Sequence, residues 1–143
     1  MRRVTLNRPF AAALERLRAA DLRPTRQRMA LARLLLEGGD RHVTAEQVHS
    51  QAAESGIRVS LATVYNTLHQ FQRAGLIREV VVEAGRSYFD TNVSDHHHLY
   101  FEDGGRLVDV PAAQVEIRGL PDLPPGVEVS RIDVILRASA KSK

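Results

Sequence analysis

Cysteine is missing from all 143 residues. That excludes disulfides and thiolate-ligated metal sites, so any metal chemistry falls to histidine and carboxylate. Long apolar runs are missing as well. No stretch reaches the length of a membrane span, and no secretory signal is visible, since no long apolar segment follows Arg2 and Arg3. Aromatic residues are only 5% of the chain, and no strongly amphipathic basic helix with bulky aromatics appears, which disfavours a membrane surface as partner. Internal repeats and low-complexity segments are absent. A cytoplasmic protein of one ordinary domain or two small ones is the simplest expectation, and 43% apolar residues suffice for a core.

The charge that is present is unevenly placed. A net +3 hides a front, Met1 to Arg33, with nine arginines and two acids, and a rear, His96 to Lys143, with a net charge of −1. A basic front points to an anionic partner there, and nucleic acid fits better than membrane. A merely solvated arginine-rich surface is the plain alternative.

The stretch Ser60 to Gly75 organises the chain. Leu61, Val64, Leu68 and Phe71 recur at helical spacing, Ser60 suits an N-cap and Gly75 a left-handed C-cap. The opposite face carries Thr63, Asn66, Gln70 and Arg73, with Ala62 and Tyr65 beside it. Small residues at the start permit close approach, and the polar ones can bond phosphates and base edges. This predicts a recognition helix for the DNA major groove; an ordinary surface helix is the alternative. Upstream, Arg8 to Ala20 reads as a helix broken at Arg23-Pro24, and Thr25 caps a second helix to about Leu36. Arg23, Arg26 and Arg28 cluster at its N-terminal end against the helix dipole, a cost that phosphate binding would explain. Thr44 to Gln47 has the form of a capping box for a third helix, to about Glu54. His42 falls in the loop before it. After Gly75, β-branched residues to Glu83, a turn at Ala84-Gly85 and a strand from Ser87 to Thr91 predict a β-hairpin, the wing of a winged helix. Arg78 and Arg86 are within its reach of phosphates.

The rear half reads as α/β. Leu99 to Phe101 and Arg106 to Val110 are strands, Pro111 to about Arg118 is a short helix, and Val127 to Leu136 is a strand whose alternation slips near Ser130-Arg131. So small a sheet is a poor core by itself, which predicts a homodimer formed through this part. Ala138 to Lys143 is expected to fray. The fold class is therefore α+β: a winged helix-turn-helix DNA-binding domain over residues 1–92, then a small α/β dimerisation and sensing domain over 93–143.

Three histidines are consecutive, His96, His97 and His98, with acids around them. In an extended segment His96 and His98 point to one side and His97 to the other. Two imidazoles with a carboxylate from a neighbouring strand can bind a divalent transition metal. His42, Asp90, His96, His98 and Asp109 would join both domains through one ion, the geometry of a metal-operated switch. A solvated histidine linker is the alternative reading, and axial ligation of haem by His96, His97 or His98 is another. Imidazole ligands bind metal only when neutral, so affinity should fall as pH drops through the histidine range.

Together these residues resemble the ferric uptake regulator family from about Leu22 to Leu136. LATVYNTLHQFQRAGLI at Leu61 to Ile77, HVTAEQVH at His42 to His49 and GRSYFD at Gly85 to Asp90 carry the resemblance, with the histidine cluster that follows. DTNVSDHHHLYF, Asp90 to Phe101, is similar to the iron response regulator branch. The resemblance implies a dimeric, DNA-binding regulator of iron homeostasis, with no catalytic residue. It implies an interdomain metal site of His42, Asp90, His98 and Asp109, with His96 as a further ligand, holding iron, manganese or zinc. Phe101 and Gly104 stand where a Cys-x-x-Cys pair would be, so no structural zinc is expected. A second family site would use His97, Glu116 and a histidine that Ile132 replaces. The branch also implies control by haem. On the DNA side it implies Tyr65 and Asn66, with Arg28 and Thr63 nearby, on a pseudo-palindromic operator. A peroxide-responsive or general metal-responsive repressor is the alternative within the family; a His/carboxylate metalloenzyme is the alternative outside it, although no HExxH-like arrangement occurs.

Overall fold

The computed structural model describes residues 10–83 and 85–141. Arg8 at the start of the first predicted helix, Ala84 of the wing turn and the last two residues of the tail lie outside them. The described residues divide after Val93 into two compact units.

The first unit holds α1 (Ala11–Ala19), α2 (Arg26–Leu36), β1 (His42–Val43), α3 (Ala45–Glu54), α4 (Leu61–Arg73), β2 (Arg78–Glu83) and β3 (Arg86–Asp90). Local chemistry starts the helices where the sequence places them. Thr25 and Ser60 accept backbone N–H groups of Arg28 and Thr63, and Thr44 and Gln47 form both bonds of a capping box. At the end of α4, Gly75 takes φ +82°, Leu76 N–H donates to the Phe71 carbonyl and Gly75 N–H to that of Gln72, a Schellman closure. Its buried stripe is Val64, Thr67, Leu68 and Phe71. Its apolar members, Val64, Leu68 and Phe71, join Leu31, Ala32 and Leu35 of α2, Val48 and Ala52 of α3, Leu17 of α1 and Phe89 of β3 in one apolar core. The sheet has order β1-β3-β2, antiparallel throughout, with a bulge between Val81 and Glu83. The predicted wing is thus present, but His42 is not in a loop. It sits in a two-residue strand on β3, a strand too short to announce itself by alternation.

The second unit holds β4 (His96–Phe101), β5 (Arg106–Pro111), a 3₁₀ turn (Ala112–Gln114) and β6 (Ile135–Ala138). Its sheet order is β5-β4-β6, with β4 antiparallel to β5 and parallel to β6. Two expectations need correction here. The helix expected from Pro111 to Arg118 is a single turn, because Pro111 offers no side-chain cap, none of the three residues is buried, and Val115 returns to extended backbone. A helix without packing or caps does not propagate. The strand expected from Val127 begins only at Ile135. Just before it the imidazole of His97, not a strand, takes the Val134 N–H at 3.2 Å, and Val127 and Val129 lie out of phase and exposed.

Candidate metal and nucleic-acid sites

Each unit gathers part of the expected donor set. In the first, the antiparallel register sets His42 opposite Asp90. His42 Nε2 lies 3.3 Å from Asp90 Oδ2, and Asn92 N–H donates to Asp90 Oδ1 at 2.9 Å. Asp90 is fully buried, so its charge needs such partners. Arg41 holds this edge in place. Its backbone N–H donates to Thr91 Oγ1 at 2.9 Å, and its guanidinium reaches the Leu34 carbonyl at 2.9 Å and Gln51 Oε1 at 2.6 Å. Sequence reasoning passed over Arg41 and Thr91, whose partners are 7 to 50 residues away and leave no periodic trace.

In the second unit, strand alternation puts His96 and His98 on one side, their ring centroids 4.6 Å apart. The register sets His98 opposite Asp109. Asp109 Oδ1 is 3.1 Å from His96 Nε2 and 3.7 Å from His98 Nε2. His96 Nδ1 is 2.6 Å from the Ser94 carbonyl, which can only accept, so that nitrogen carries the proton. A neutral His96 then turns its Nε2 lone pair toward a carboxylate oxygen. Two acceptors face each other at 3.1 Å unless the ring is charged or a cation lies between them. The Nδ1–carbonyl bond is also the outer-shell support that orients metal-binding histidines. The donor types of His96, His98 and Asp109 and their preorganisation therefore fit a divalent transition ion.

His97 points the other way, its Nδ1 accepting from Val134. Glu116 is bound by Arg118 at 2.6 Å, and Ile132 offers no donor atom, so the second family site gains nothing from the geometry. Nor does haem: all three histidines are buried, with Nε2 of His96 and His98 turned toward Asp109.

The candidate DNA face belongs wholly to the first unit. Ala62, Tyr65, Asn66 and Arg73 of α4 are exposed, as are Arg23 and Arg26. Thr63 is half-buried, its hydroxyl accepting from Ser60 Oγ at 2.9 Å. Arg28 differs from its neighbours. Its Nε donates to Gln70 Oε1 at 3.1 Å and an Nη to the Arg23 carbonyl at 2.9 Å, so it braces the start of α2 against α4. Arg86 pairs with Glu83 at 3.2 Å across the wing turn. Tyr65 is held at both ends. Its ring stacks on His69 with an interplanar angle of 18°, and its hydroxyl donates to Glu46 Oε2 at 2.9 Å. That hydrogen bond, then partial burial and the carboxylate charge, raise the Tyr65 pKa above its ordinary value. Glu46 was read from the sequence only as part of a capping box; nothing in the spacing ties it to a tyrosine 19 residues on.

A model of the ferric uptake regulator family matches residues 19–132. The ferric uptake regulation protein of Shigella flexneri is 34% identical over 103 residues, covering 71% of this chain and 70% of that protein. The peroxide-responsive repressor PerR of Staphylococcus epidermidis is 30% identical over 112 residues, covering 78% and 74%. Among solved structures, the ferric uptake regulator of Pseudomonas aeruginosa with manganese superposes with a TM-score of 0.72 at 28% identity, covering 91% of this chain and 98% of that one.

Proposed function

This chain belongs to the ferric uptake regulator family, and from that premise we propose that it is a dimeric cytoplasmic regulator that reads a pseudo-palindromic operator and answers to iron status through one divalent ion. Proteins of this family regulate transcription and are not enzymes, which sets the metalloenzyme alternative aside. Each α4 enters a major groove, with Asn66, Tyr65 and Ala62 toward the bases and Arg23 and Arg26 toward phosphate. His42 and Asp90 of one unit and His96, His98 and Asp109 of the other hold the ion together. An ion bound by both units favours one arrangement of the DNA-reading helices over others, which is how occupancy becomes operator affinity. The observation that carries this reading is the His96–Asp109 approach, an arrangement that a cation resolves. Iron, manganese or zinc suits the donors. The cysteine-free chain carries no thiolate zinc site, which supports placement in the iron response regulator branch.

Electrophoretic shift on duplexes from iron-regulated promoters tests the reading. We expect retardation with Mn²⁺, loss of it on chelation, and binding that weakens steeply with salt. Asp109→Ala should weaken Mn²⁺ binding by about 100-fold or more and abolish the metal-dependent shift. Retardation of no duplex with or without metal would defeat the proposal. Haem added to the same mixture, read by its Soret band, tests the branch assignment. A peroxide-responsive regulator is the second reading, favoured by the 30% identity to a peroxide-responsive repressor. Loss of operator binding when iron-loaded protein meets stoichiometric peroxide would select it.

A further inference from the structure

We infer that Glu46 fixes the hydrogen-bonding polarity of Tyr65, so that this tyrosine reads amino groups on bases and rejects both carbonyl edges and phosphates. The inference rests on the DNA-binding reading of α4 and deepens it.

A free tyrosine hydroxyl either donates or accepts, and so discriminates little between base edges. Tyr65 is not free in this sense. Its hydroxyl donates to Glu46 Oε2 at 2.9 Å, an acceptor that at neutral pH has no proton to return. The lone pairs on the phenolic oxygen are what remain for a ligand. In the major groove the donors that match them are adenine N6 and cytosine N4; guanine N7 and O6 and thymine O4 are acceptors and do not match. Phosphate oxygens are acceptors too, and the Glu46 charge repels them. The ring has little freedom to turn away, since its face stacks on His69, which in turn meets Phe89 edge-on with centroids 5.6 Å apart. The backbone that carries Glu46 is fixed, lying in the first turn of α3, where negative charge favours the helix and the Thr44–Gln47 capping box is formed. An acid on the DNA-facing side of a basic domain otherwise only weakens binding. Here it commits the one proton on Tyr65 that would make the contact ambiguous. Glu46 is thus a positioning residue for base choice, acting through Tyr65.

Selection of bound duplexes from a random-sequence library by the full-length, Mn²⁺-loaded protein tests this. The wild type should enrich a site in which one base pair per half-site presents adenine or cytosine to Tyr65, preferred by about 3- to 10-fold, the effect of one hydrogen bond. Tyr65→Phe should lose the preference at that base pair and keep the rest of the site. Glu46→Gln, whose amide can donate to the phenol and release its proton, should bring adenine or cytosine and guanine or thymine within about twofold there, with an unchanged far-UV spectrum. Glu46→Gln in the Tyr65→Phe background should add nothing. A Glu46→Gln protein that selects the wild-type site with undiminished preference, while Tyr65→Phe does not, overturns the inference and leaves the DNA-binding reading standing. A wild type that enriches no sequence overturns both.

Discussion

The two units differ in how they exclude water. The first surrounds Leu31, Leu35, Val48, Val64, Leu68 and Phe71 with packed helices, all of them fully buried. In the second, Tyr100 and Leu107 are the buried apolar side chains among the described residues, and beside them are three buried histidines. The same unit leaves Ile117, Leu120, Leu123, Val127, Val129 and Leu136 exposed. A domain that buries so little of its apolar surface needs another source of order. Strand pairing supplies part of it, and in our proposal a second copy and a bound ion supply the rest. The first unit is built to hold its shape alone; in our proposal the second is left dependent on what it binds.

The largest expected effect breaks that contrast from the side of the first unit. Phe71→Ala removes a ring with 0% exposure from the centre of the helical core. A loss of about 3–5 kcal/mol follows from such a cavity. In a domain of this size that lowers the melting midpoint by roughly 15 °C or more, read by far-UV circular dichroism. A drop of only a few degrees would mean that the core is less cooperative than its packing indicates.

The second unit gives the next test. Leu136→Asp puts a charge at a 45%-exposed position of β6. If a second copy covers that position, self-association measured by sedimentation should weaken by about 100-fold or more, the effect of leaving one charge buried without a partner. The melting transition of the first unit should not move. An unchanged dimer would mean that the exposed apolar residues of this unit serve something other than self-association.

The same contrast explains what was legible in the sequence. In the first unit, caps, periodicity and turns act within a few residues, so Thr25, Thr44, Ser60 and Gly75 mark the helix ends where they occur. The wing was legible for the same reason. β1 was not, because two residues carry no pattern and His42 is held by register with Asp90, 48 residues away. Residue types and strand alternation bring His96, His98 and Asp109 to neighbouring strands, where Asp109 Oδ1 lies 3.1 and 3.7 Å from the two imidazoles. The arginine cluster and the family resemblance put Arg28 near the DNA face, and its bonds to Gln70 and the Arg23 carbonyl, which exist only in the folded chain, add a bracing role that the sequence does not announce. In the second unit the expected helix and long strand follow from local pattern, but the described residues there are not buried against a packing surface. Local rules succeed where the chain supplies its own tertiary partner and overreach where it does not.

The smallest effect tests how finely the first unit is tuned. α1 closes like α4, with Leu22 N–H donating to the Leu17 carbonyl and Asp21 N–H to that of Arg18. The left-handed position, however, is held by Asp21 at φ +59°, the non-glycine residue with positive φ among those described. Aspartate tolerates that region better than most side chains but still less well than glycine. Its charge also sits at a helix C-terminus, where the dipole disfavours it. Asp21→Asn removes the charge and keeps a residue that accepts the conformation, so its gain of about 0.3–1 kcal/mol measures the dipole alone. Asp21→Gly removes both penalties but loosens the unfolded chain, which offsets part of the benefit. The two variants should therefore stabilise by similar amounts, raising the melting midpoint by about 2–6 °C, with the glycine variant ahead by no more than a few tenths of a kcal/mol. Destabilisation by Asp21→Asn would show that the carboxylate makes a favourable interaction outweighing its place at the end of α1.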